Sequence, residues 1–190
     1  MEMNSNTERK RTADKILYKT GLWEQLCKIG RPHVIGSYKM DMMAWNDLDI
    51  DIENQSMSMD KLYELTNYIF RIFHPLWYEA KEEITDEGKT VWFHGFHTMA
   101  DGELWNLDLW FFDMETIDKA ERYCNNIVKM VNQTPGSRER IIAIKQELLE
   151  RRLYDFFNYS SMDVYRAVLE QGIRNTDELL SRYIPAENRL

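Results

Sequence analysis

His33-Val34-Ile35-Gly36-Ser37-Tyr38-Lys39 is followed, eleven residues beyond Ser37, by Leu48-Asp49-Ile50-Asp51-Ile52. The second segment alternates apolar and acidic residues with a period of two, the signature of a strand with one buried face. Leu48, Ile50 and Ile52 then point into a core. Asp49 and Asp51 point together to the opposite face, roughly 7 Å apart along the strand. Two carboxylates side by side repel, and withdrawal from water worsens the repulsion. A divalent cation is the natural counter-charge, and all-oxygen ligation selects Mg²⁺ or Mn²⁺ over zinc. Ahead of them, Gly36 lets the backbone approach a ligand closely. Its amide and the Ser37 hydroxyl suit phosphate oxygens if residues 37–43 begin a helix.

Further out, Leu107-Asp108-Leu109-Trp110-Phe111-Phe112 is an apolar strand interrupted once by a carboxylate. A lone Asp in such a run is costly unless it is paired, hydrogen-bonded or bound to metal. Beside the first strand it completes a cluster of Asp49, Asp51 and Asp108. Strand-like stretches at 76–83, 90–99 and 104–112 are parted by Asp86-Glu87-Gly88 and Asp101-Gly102, which predicts antiparallel hairpins. Helical spacing runs over 12–30, ending at Gly30 before Arg31-Pro32, and over 57–73, stopped by His74-Pro75. From Glu115 onward the pattern is helical: 115–132, 137–158, 161–171 and 176–183, broken at Thr134-Pro135-Gly136, Ser160-Ser161 and Gly172. The expected fold is α+β: a mixed sheet packed with helices over residues 1–113, then an all-helical C-terminal region over 114–190. The stripe Ile141, Ile142, Ile144, Leu148, Leu149, Leu153 and Phe156 suits the sheet, the other C-terminal helices, or a second copy in a homodimer.

Composition narrows the function. The 190 residues are 44% apolar and 29% charged, enough for a sizeable core. Net charge is −8, from 24 Lys+Arg against 32 Asp+Glu, which argues against a protein that grips duplex nucleic acid through many phosphates. No apolar stretch approaches the roughly 18 residues of a membrane span, and the N-terminus is polar without an apolar leader core. Cys27 and Cys124 stand far apart and read as reduced thiols, so the expectation is a soluble cytoplasmic protein. His94 and His97 fall on opposite faces of a strand and cannot share a metal without a bulge. The aromatics Trp92, Phe93, Phe96, Trp105, Trp110, Phe111 and Phe112 belong mainly to the core, with room for one or two to stack on a base or an acceptor ring. Met40, Met42, Met43, Met57 and Met59 read as adaptable packing.

Gly-Ser, eleven residues, Asp-apolar-Asp-apolar and a third Asp on a later strand together resemble the nucleotidyltransferase fold of the DNA polymerase beta superfamily. In size the chain resembles its small bacterial members, the antibiotic and minimal nucleotidyltransferases. The resemblance covers residues 12–113. It implies that Asp49 and Asp51 hold Mg²⁺ and the triphosphate, and that Gly36 and Ser37 contact the β- and γ-phosphates. Lys39 would supply positive charge there. Asp108 would ligate a second metal and help deprotonate the attacking hydroxyl. The implied reaction is in-line attack on the α-phosphorus of a nucleoside triphosphate, ATP among the candidates, by a small hydroxylated acceptor or a protein side chain, with pyrophosphate leaving. Many members carry small residues and an arginine after the Gly-Ser, where this chain has Tyr38-Lys39-Met40-Asp41-Met42-Met43. That departure keeps a second reading open: a catalytically inactive protein of the same fold, acting as a nucleotide-binding or antitoxin-like partner. A phosphohydrolase using the same acidic site is a third.

Overall fold

Alternation along β2 (Asp47–Glu53) sets the frame of the molecule. In this computed structural model, which describes residues 5–53, 57–85, 87–155 and 158–185, Leu48, Ile50 and Ile52 have no exposed surface. β2 pairs antiparallel with β1 (Pro32–Val34) on one side and parallel with β5 (Glu103–Phe112) on the other. β5 continues antiparallel to β4 (Thr90–Ala100), and β4 to β3 (Trp77–Ile84), giving a five-stranded mixed sheet in the order β1-β2-β5-β4-β3. The expected hairpins are there; Asp86 of the first turn lies outside the described residues.

One face of the sheet carries the core. Leu48, Ile50 and Ile52 lie with Trp105, Leu107, Leu109 and Phe111 of β5 and Trp92 and Phe96 of β4. Against them pack Ala13 and Leu17 of α1 (Asn6–Lys19), Leu22 and Leu26 of α2 (Leu22–Cys27), and Leu65 and Ile69 of α4 (Met59–Phe73). Between β1 and β2 a single turn, α3 (Gly36–Lys39), reverses the chain. The helix expected over 12–30 is two helices. α1 begins six residues earlier because Ser5 and Glu8 close a capping box, and Gly21, at φ 89°, separates it from α2. Met40, Met42 and Met43 are buried packing, whereas Met59 is exposed.

The chain forms two compact units, Met1–Cys124 and Asn125–Leu190, with α5 (Met114–Gln133) contributing to both. The second unit is built from the end of α5 with α6 (Ser137–Glu150), α7 (Ser161–Gln171) and α8 (Thr176–Arg182). The helix expected over 137–158 stops at Glu150. There the Leu153 and Arg152 amides donate back to the Leu148 and Leu149 carbonyls, with Arg152 at φ 58°. This is a left-handed helix stop made without glycine. Phe156 lies outside the described residues. Lys145 is fully buried in this unit, its ammonium 5.6 Å and 5.3 Å from the ring centres of Tyr154 and Tyr165. Among the described residues, no helix is long and apolar enough to cross a membrane.

Candidate active site

The face of the sheet opposite the core carries the polar chemistry, and strand register lays it out in rows. Residues paired across strands share a face. One row is therefore Asp47 of β2, Asn106 of β5, His97 of β4 and Trp77 of β3. The next is Asp49, Asp108, Gly95 and Glu79. The third is Asp51, Trp110, Phe93 and Lys81, with His33 of β1 beside Asp51.

Carboxylate oxygens of Asp47, Asp49 and Asp108 lie within 4.8 Å of one another. Two of these three were expected from sequence, and Asp47 is the addition. Its signal is the same as that of the residues that were singled out: Asp47-Leu48-Asp49 has the spacing of Asp49-Ile50-Asp51. The amide of Asn106 ties the group together, donating to Asp47 Oδ1 at 2.8 Å and to Asp108 Oδ2 at 3.2 Å. Burial pushes the Asp108 carboxyl up from its ordinary pKa, opposed by the Asn106 hydrogen bond and the charge of His97 and reinforced by Glu79.

Gly36 abuts this cluster. It sits at φ 65°, and a Cβ there would fall 2.0 Å from Asp49 Oδ2, so both backbone conformation and space require glycine. Ser37 follows, its hydroxyl buried and without a hydrogen-bond partner among the described residues. Tyr38 donates to Asp14 and is buried, while the Asp41 carboxylate accepts from Asn6 and Lys10 of α1. The unusual run after Ser37 is thus partly absorbed by packing against α1.

Asp51, also expected at the metal, is not among the three grouped carboxylates. It is 2% exposed, and its Oδ1 has no hydrogen-bond partner among the described residues. Burial raises its pKa to about 7, with the charge of Glu121 adding to the rise and that of Lys39 opposing it. Lys39 donates to Glu121 Oε1 at 3.0 Å, and His33 Nδ1 lies 3.2 Å from the same oxygen. Asp51, Lys39, His33 and Glu121 therefore form a second polar group at the β1 side of the sheet. Cys124 lies near it, its thiol pKa raised by burial. His94 and His97 do fall on opposite faces: His94 is in the core, and His97 is in the first row of the polar face.

The oxygen-only trio fits a hard divalent cation. Three carboxylates converge, burial penalises the charge of at least one, and the Gly36 cradle and the orphaned Ser37 hydroxyl lie beside them.

No protein-family model and no curated protein matches the chain. Solved structures do. A cytoplasmic RNA terminal U-transferase aligns over 87% of this chain at 13% identity and TM-score 0.54. The Cid1 poly(U) polymerase, solved with Mg and 3′-dATP bound, aligns over 87% at 14% identity and TM-score 0.58. The non-canonical poly(A) polymerase GLD-2, in complex with GLD-3, aligns over 93% at 13% identity and TM-score 0.56. The chain spans about half the length of these structures: 46%, 49% and 57%. At such identity the likeness speaks for the fold. From the sheet order, the glycine cradle between β1 and β2, and this likeness, the chain has an α+β nucleotidyltransferase-like fold.

Proposed function

We propose that this chain is a metal-dependent nucleotidyltransferase that moves a nucleoside monophosphate from a nucleoside triphosphate to a hydroxyl-bearing acceptor, releasing pyrophosphate. The observation that carries the reading is the convergence of Asp47, Asp49 and Asp108 beside Gly36 and Ser37. Asp47 and Asp49 are the pair that would hold Mg²⁺, with Asp108 completing the set. When bound there, a divalent cation offsets triphosphate charge and acidifies the attacking hydroxyl. The chain's own share is positioning and electrostatic preorganisation. Asn106 holds Asp47 and Asp108 together, Gly36 lets the backbone meet Asp49, and the Ser37 hydroxyl is free to donate to a phosphate oxygen. Asp108, on β5, orients the acceptor hydroxyl. Asp51, two residues beyond the pair, is assigned instead to the group with Lys39 and Glu121, whose charges act on it.

The test is transfer of label from an α-³²P-labelled nucleoside triphosphate, with pyrophosphate release followed in parallel. Asp47→Asn and Asp49→Asn are each expected to lower turnover at least as much as the roughly hundredfold that loss of an outer-shell partner costs. Folded variants with wild-type turnover would overturn the assignment. A second reading, nucleotide binding without transfer, draws on one observation: Lys39, next after the cradle and Tyr38, is held by Glu121. It predicts Mg²⁺-dependent nucleotide binding and no pyrophosphate.

A further inference from the structure

The sheet ends on an open edge at β3. This strand pairs with β4 from Trp77 to Ile84, and among the described residues no strand lies on its other side. None of its eight residues is buried, no proline interrupts it, and its ladder with β4 runs without a bulge. An edge of this length is a template for a further strand unless something covers it. The two most exposed large apolar side chains among the described residues stand at its ends. Leu76, just before the strand, is 69% exposed, and Ile84, its last residue, is 74% exposed. Between them lie Glu79, Lys81, Glu82 and Glu83. On the core face, Phe70 of α4 is half exposed beside this strand, its ring centre 5.1 Å from that of Tyr78.

The charges along β3 decide what can pair with it. A second copy that extends the sheet antiparallel across a two-fold axis opposes residues of the same face, so even numbers meet even and odd meet odd. Directly opposed like charges are destabilising. Centring the pairing on Glu79 or on Glu82 sets that carboxylate against itself. Centring it on Lys81 sets the ammonium against itself and Glu79 against Glu83. Centring it on Ala80 opposes no like charges. Glu79 of each copy then faces Lys81 of the other, Trp77 faces Glu83, and Tyr78 faces Glu82. The same register brings Leu76 of each copy opposite Ile84 of the other, covering the two most exposed apolar residues. We propose that β3 pairs antiparallel with β3 of a second copy of this chain, about a two-fold axis at Ala80, joining the two sheets into one. The axis stands perpendicular to the sheet, so both α4 helices lie on one face and Phe70 of each borders the seam. Charged residues on an edge usually keep copies apart; here their alternation selects one register.

The test is sedimentation velocity on the full chain. Wild type is expected to sediment as a dimer at micromolar concentration, and a monomer there would overturn the interface. Lys81→Glu sets a carboxylate against Glu79 in both symmetric pairs, and Glu79→Lys sets an ammonium against Lys81. Each variant should raise the dimer dissociation constant at least about tenfold. The two variants complement each other, so mixing them in equal amounts should restore the dimer as a heterodimer. A defect confined to the fold of either chain would not be repaired by mixing. Dimers that both single variants retain would place the contact on another surface and overturn the β3 seam. A mixture that stays monomeric would overturn it as well.

Discussion

Asn106 donates one amide nitrogen to two carboxylates that would otherwise repel, so its removal loosens the cluster without deleting a carboxylate. Asn106→Ala should cost roughly 10–100-fold in Mg²⁺ affinity or turnover, read as a rightward shift in the Mg²⁺ dependence of pyrophosphate release, with little loss of stability. An unshifted dependence would mean that the amide is incidental. Gly36 is less forgiving. Gly36→Ala forces a side chain into a left-handed backbone at about 1–2 kcal/mol and against Asp49 Oδ2, so turnover should fall further than stability does. His94 tests the core. Its ring is buried, donor or acceptor to Tyr78 at 2.9 Å, and burial lowers its pKa to about 4 from an ordinary 6.5. The unfolded chain therefore binds a proton that the folded one refuses. The stability due to neutral His94 is complete above pH 6.5 and is lost as pH falls towards 4, by up to roughly 3 kcal/mol. Urea unfolding should show a shallower loss between pH 7 and pH 4.5 in His94→Phe than in wild type; parallel losses would contradict it.

At the scale of elements, β5 is where stability and chemistry share one strand. Trp105, Leu107, Leu109 and Phe111 face the core and Asn106 and Asp108 face the site, so Trp105→Ala should cost about 3–5 kcal/mol in urea unfolding while leaving the carboxylate register intact. The alternation made β2 and β5 legible from sequence, because a half-buried strand writes its period directly into residue type. It also made Asp49 and Asp108 legible, which the register then pairs. Asp47 is harder to read because it begins the strand, where a run of Asn46-Asp47 looks like turn chemistry. Helix ends were harder to read. Gly136 and Gly172 announce themselves, but the stop after Glu150 uses Arg152 at φ 58°, and no glycine or proline marks it. The break at Gly21 was hidden because Leu22 and Leu26 keep the apolar spacing going across it.

For the whole molecule, three converging carboxylates in a chain of net charge −8 repel one another, and a cation bound among them would relieve that repulsion. Mg²⁺ should therefore raise the melting temperature of wild type, by up to about 2.7 kcal/mol of stabilisation at a hundredfold excess over its dissociation constant. Asp47→Asn/Asp49→Asn should melt higher than wild type in EDTA and should not respond to Mg²⁺, because the repulsion and the cation site go together. The reach of the account beyond the fold rests on that trio meeting a triphosphate. The most direct measurement is the heat of binding of ATP, GTP, CTP and UTP, with and without Mg²⁺, to wild type and to Asp47→Asn/Asp49→Asn. The account predicts Mg²⁺-dependent binding of at least one nucleotide to wild type and its loss in the double variant. Binding that survives in the double variant, or that ignores Mg²⁺, would contradict it.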